Sequence, residues 1–109
     1  MIREEDMADS EWVPMTPGVK RRIREDGEKL MLVEVTFEAG AAVPEHAHVH
    51  EQVSYVASGR MAFTVSGEET ELKAGESLLL PSNVLHSARA LEASTVLDSF
   101  SPPREDFRK

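Results

Sequence analysis

The sequence predicts an all-β single domain: a sandwich, jelly roll or small barrel. Three observations carry this. Met31, Val33, Val35 and Phe37 alternate with Leu32, Glu34 and Thr36, the period-two pattern of a strand with one drier face. Turn signals recur about every 8–12 residues between short apolar stretches, as they do in sandwiches and barrels. No window carries a 3.6-residue apolar period. At 109 residues the chain has the size of one domain and can bury roughly two-thirds of its unfolded surface.

The elements follow in order. Residues 1–11 read as a loose acidic arm before a domain over 12–109. Trp12, the only tryptophan, sits in a segment punctuated by Pro14, Pro17 and Gly18; it either covers the barrel or makes a dimer contact. Val19 to Arg24 is a strand that turns at Asp26-Gly27 into Met31–Phe37. Gln52 to Ala57 ends at Ser58-Gly59, and Met61 to Val65 ends before Gly67. A short strand at Thr70 to Leu72 precedes the turn at Gly75. Ser77 to Leu80 and Leu85 to Ala90 are separated by the turn cluster Pro81-Ser82-Asn83. Ser94 to Phe100 is the last strand, and ladder pairing stops at Pro102 and Pro103, which have no N–H to donate.

Composition narrows the function. There are no cysteines, which excludes a disulfide scaffold, a thiolate zinc site and a cysteine nucleophile. Twelve basic against 20 acidic residues leave a formal charge of −8, a poor match to nucleic acid or an anionic membrane. Met1 to Ser10 holds four acids and one Arg and lacks the basic start and apolar run of a secretory signal. No apolar run is long enough to span a bilayer. Cytoplasm is the expected location.

The four histidines, His46, His48, His50 and His86, are the informative residues. His46 and His48 are two apart, so on a strand they face the same side, as a divalent cation requires of converging imidazoles. His86 meets them if the sheet folds over on itself. Gln52 has the same parity. Glu51, one residue away and charged, is its rival as fourth ligand, and His50, of the same parity as His46 and His48, reads as a residue behind the ligands or at the barrel mouth. Three imidazoles and an amide are neutral, so the metal keeps its full +2. That favours Lewis-acid chemistry over O₂ or one-electron chemistry. Imidazole-rich sites suit Ni, Zn, Fe or Cu.

Spacing sharpens the reading. Gly40, five residues, His46, one residue, His48, three residues, Gln52, six residues and Gly59 form one run. Gly75, five residues, Pro81, four residues and His86 form a second. This resembles the two motifs of the cupin superfamily, with Gln52 where Glu is usual, Asn83 for the second motif's inner glycine and Ala90 for its final Asn. Asn tolerates a left-handed turn. The resemblance implies a small jelly-roll-like β-barrel with the metal inside it.

The C-terminal run is more specific. Asp98 and Phe100 share a face of the last strand, and an Asp within the alternation Val96, Asp98, Phe100 is the unusual feature. Inward, it would be a general acid or base beside a cation; outward, a solvated carboxylate. Arg104 follows two prolines that could turn it back across the barrel mouth; alternatively it belongs to a solvated tail, paired with Glu105 or Asp106. Together with the Gln variant of the first motif, the run Asp98 to Phe107 is similar to a branch of cupins acting in pectin and alginate breakdown. That similarity implies one divalent ion (Ni, Zn, Fe or Mn) on His46, His48, Gln52 and His86. It implies catalytic roles for Asp98, Phe100 and Arg104, and a homodimer. The implied reaction is non-redox opening of 4,5-unsaturated monouronates to linear 5-keto-4-deoxyuronate. A cupin dioxygenase, another small-acid isomerase or lyase, and a non-enzymatic metal- or sugar-binding cupin are the alternatives. The −8 charge repels an anionic sugar, so the metal and Arg104 must attract it locally, helped by screening over about 8 Å in physiological salt.

Overall fold

The structure, a computed structural model, describes residues 11–108. The expected arm over residues 1–11 therefore lies, apart from the exposed Glu11, outside the described residues. Two antiparallel sheets face each other. The larger has the order β1-β2-β3-β10-β5-β8 and the smaller β4-β9-β6-β7. The strands are β1 Val13–Pro14, β2 Val19–Asp26, β3 Met31–Phe37, β4 Ala42–His46, β5 Glu51–Ser58, β6 Arg60–Val65, β7 Glu68–Lys73, β8 Ser77–Leu80, β9 His86–Ala90 and β10 Ser94–Ser101. A single 3-10 turn, Glu105–Phe107, follows. This is a jelly-roll arrangement, all-β as the alternation predicts. Among the described residues no helix is long and apolar enough to cross a membrane.

Alternation decides which side of each strand is dry. Met31, Val33, Val35 and Phe37 are buried and the residues between them are not. On β5 the buried positions are Gln52, Ser54 and Val56. On β10 they are Ser94, Val96 and Phe100. The apolar ones among these meet Met61 and Phe63 of β6, Leu72 of β7 and Ala90 of β9 in one core. Each such apolar side chain removed from water contributes about 1.5–3 kcal/mol before the entropy of ordering is subtracted.

Two strands differ from the expectation. β1 was not anticipated; it pairs with β2 through Val13 and Arg21. β4 stops at His46, so His46 and His48 do not share a strand face. Trp12 lies on the outside of β2, with Lys20 Nζ 4.8 Å and the Arg22 guanidinium 4.5 Å from its ring centre. It covers the sheet as a platform for two cations.

Candidate metal centre

Both sheets contribute to one end of the interior. His46 and His86 are direct partners in the β4–β9 ladder, with ring centres 4.4 Å apart. His48 comes from the loop after β4, its ring centre 5.4 Å from His46 and 4.9 Å from His86. One ligand nitrogen from each lies within 4.8 Å of the other two. The expected convergence is therefore present, but a loop rather than strand parity delivers the middle histidine. That loop is tied to the β8–β9 turn. Asn83 sits at φ 62°, the left-handed turn expected of it, and its N–H donates to the His48 carbonyl at 2.8 Å. The Ser82 hydroxyl donates to the Val49 carbonyl.

Each imidazole is oriented by its own backbone. Nδ1 of His46 donates to the Pro44 carbonyl (2.9 Å), that of His48 to the His50 carbonyl (3.0 Å) and that of His86 to the Val84 carbonyl (3.0 Å). A carbonyl only accepts, so Nδ1 carries the proton and Nε2 presents a lone pair. Burial, then the Arg104 charge and the neighbouring His86, lower the His48 pKa to about 4. Burial likewise lowers that of His86. Both shifts keep the His48 and His86 rings neutral, the ligand form.

Gln52, 7% exposed, completes the cluster from the opposite sheet. Its Oε1 lies 3.1 Å from His48 Nε2. With His48 Nδ1 protonated, both facing atoms are lone-pair donors. His86 Nε2 is buried with no hydrogen-bond partner. Two facing acceptors and an orphaned buried nitrogen are unfavourable alone and become favourable around a cation, so the donor set fits a divalent metal. Glu51, the rival ligand, occupies the outward parity of β5 and is exposed. Gln52→Ala is expected to weaken metal retention more than Glu51→Ala, measured by elemental analysis after dialysis against a weak chelator; the reverse order would identify Glu51 as the ligand. His50 leaves its Nδ1 buried and unpartnered, its ring 6.4 Å from Phe100, and turns its carbonyl toward His48.

The C-terminal residues line the same cavity, which encloses about 70 Å³. Asp98 points inward and is partly exposed, on the cavity side. Burial pushes its carboxyl up to about 6, against hydrogen bonds from Ser54 and Gln52 and the Arg104 charge, which pull it down. Phe100 stands between the site and the tail, its ring centre 5.8 Å from His48 and 5.8 Å from Phe107. For Arg104 the ion pair of the tail reading is present, but its solvation is not. It pairs with Asp106 through Nε (3.0 Å) and Nη2 (2.8 Å). It is nevertheless only 13% exposed, packed over Phe100 and Phe107 at 5.0 and 4.2 Å, and it lines the cavity. Arg108 pins the turn by donating to Asp26 (Nε to Oδ2, 2.9 Å) and to the Gly27 carbonyl.

Two residues of this end were missed by sequence reasoning. Asp106 was weighed only as a tail partner, whereas it grips one edge of the guanidinium and sets its direction. Ser54 was not singled out at all. Its signal was available: it shares the buried parity of Gln52 and Val56 and is polar.

A jelly roll with three imidazoles and one amide oxygen gathered inside defines a small barrel protein with a candidate metal site. Comparison with known proteins agrees: residues 33–98 match the cupin domain family, and the chain belongs to it. It is 39% identical to the pectin degradation protein KdgF of Dickeya dadantii (strain 3937) over 98 residues, 88% of this chain and 89% of that protein. It is also similar to the solved KdgF from Halomonas sp., with a TM-score of 0.85, 37% identity and coverage of 91% and 92%. An RmlC-like cupin from Shewanella frigidimarina NCIMB 400 superposes with a TM-score of 0.87, at 38% identity over 92% of this chain and 90% of that one.

Proposed function

We propose that this protein is a metal-dependent, non-redox enzyme that opens 4,5-unsaturated monouronates, from pectin or alginate breakdown, to linear 5-keto-4-deoxyuronate. The observation that carries the proposal is that Asp98 and Arg104 line the same cavity as His46, Gln52 and His86, in a chain similar to KdgF. Simple metal storage needs neither side chain. A cytoplasmic homodimer belongs to the same reading, drawn from the resemblance.

The substrate is a cyclic hemiacetal whose ring oxygen is bonded to C5, an alkene carbon that also bears the carboxylate. Loss of the hemiacetal hydroxyl proton and cleavage of the bond between C1 and the ring oxygen leave an aldehyde at C1 and an enolate at C5. Protonation of C4 turns the enolate into the ketone. A divalent ion on His46, His48, Gln52 and His86 would supply Lewis-acid stabilisation of negative charge on oxygen. The chain's own residues do the rest. Arg104 offers its free edge to the carboxylate as a planar fork. Phe100 packs against the apolar face of the sugar. Asp98, its carboxyl raised toward neutrality, takes the hydroxyl proton from the hemiacetal and returns one to C4. The exchange is proton-neutral and needs no oxidant.

The test is direct. Protein loaded with Ni, Zn, Fe or Mn is mixed with lyase-generated unsaturated monouronate, and the ultraviolet absorbance of the conjugated enoate is followed. Loss well above the spontaneous rate is expected; no acceleration with any of these metals would overturn the proposal.

A further inference from the structure

Ser54 is fully buried and stands opposite Asp98 in the β5–β10 ladder. Its Oγ is 2.6 Å from Asp98 Oδ1 and 3.0 Å from Gln52 Nε2. A hydroxyl has one proton to give. The carboxylate of Asp98 can only accept, so Ser54 donates to it and has only a lone pair left for Gln52. The amide must therefore turn Nε2 toward Ser54 and Oε1 toward the histidines. In the reverse flip, Oε1 would face an oxygen with no free proton, and an NH₂ group would point at the place where a cation belongs.

We propose that Ser54 is a positioning residue that selects the metal-ligating flip of Gln52, with Asp98 setting the direction of the Ser54 proton. The proposal rests on the metal reading above and explains how an amide can serve in the fourth position. A carboxylate there would present an equivalent oxygen in either orientation. An amide presents oxygen on one side only and needs an acceptor to hold its other side. Ser54 supplies that acceptor at 3.0 Å, and Asp98 on its far side keeps the hydroxyl proton turned away from the amide.

The experiment measures Zn²⁺ dissociation constants by competition with a chromophoric chelator. The proteins are wild type, Ser54→Ala, Gln52→Glu and the double variant. Ser54→Ala should weaken Zn²⁺ binding about 10- to 100-fold in the Gln52 background. In the Gln52→Glu background the same change should cost less than about threefold, because the orientation no longer matters. No loss in the first background, or an equal loss in both, would overturn the proposal. A second arm uses the metal-free wild type alone. Its Gln52 side-chain amide protons should resist exchange with solvent by NMR; free exchange would overturn the proposal whatever Ser54→Ala does to folding. A wild type with no measurable Zn²⁺ affinity would instead bring down the metal reading, and the amide exchange would still decide whether Ser54 holds Gln52.

Discussion

Asp98→Asn should lower the rate of unsaturated-uronate conversion by about 10²- to 10⁴-fold, the usual size of a lost general acid–base group, while metal content stays near that of the wild type. The two halves have separate physical causes. The amide cannot take up and return the hemiacetal proton, so the step that needs it stops. The same amide keeps an oxygen where Oδ1 stood, so Ser54 still has an acceptor and the chain from Ser54 to Gln52 survives. Metal content by elemental analysis, set beside turnover by absorbance, reads both halves. Loss of metal together with activity would show that Asp98 serves the ligand set and not the proton transfer.

Gly59→Ala should destabilise the fold by about 2–5 kcal/mol in urea titration, combining left-handed backbone strain with overpacking. That is a large share of the roughly 5–15 kcal/mol that holds a domain together. Gly59 lies at φ 85°, between β5 and β6. A Cβ there would collide with the Ser94 hydroxyl and the Ala93 carbonyl, and would lie 2.8 Å from Ser94 Cα. The Ser94 hydroxyl cannot yield freely, because it accepts from the Arg60 N–H and donates within the same turn. Gly75, another motif glycine with positive φ, has open space around it, so Gly75→Ala should cost only the backbone strain, about 1–2 kcal/mol. Equal effects at the two glycines would show that close approach to β10 is not what Gly59 provides.

The sequence by itself determined most of the strands, the inward face of β3 and the candidate metal donors. Alternation of apolar side chains is a local property, read within six or seven residues, and the motif spacing of the histidines and glycines is equally local. Even the turn at Asn83 was legible, since a short polar side chain tolerates positive φ. Only the tertiary structure decided what those residues meet. The parity argument for His46 and His48 gave the right neighbours for the wrong reason, because β4 ends at His46 and a hydrogen bond from Asn83 holds the loop that carries His48. Asp98 and Ser54 are 44 residues apart in the chain, and strand register alone makes them partners. Arg104 could be assigned to a tail or to the mouth from its neighbours in sequence. The grip of Asp106, and Phe100 and Phe107 beneath the guanidinium, put it at the cavity, with the tail's ion pair but without its solvation. Periodicity states which face a side chain takes. The proton a hydroxyl gives away, and hence the oxygen an amide presents, depends on partners that the fold brings from far along the chain.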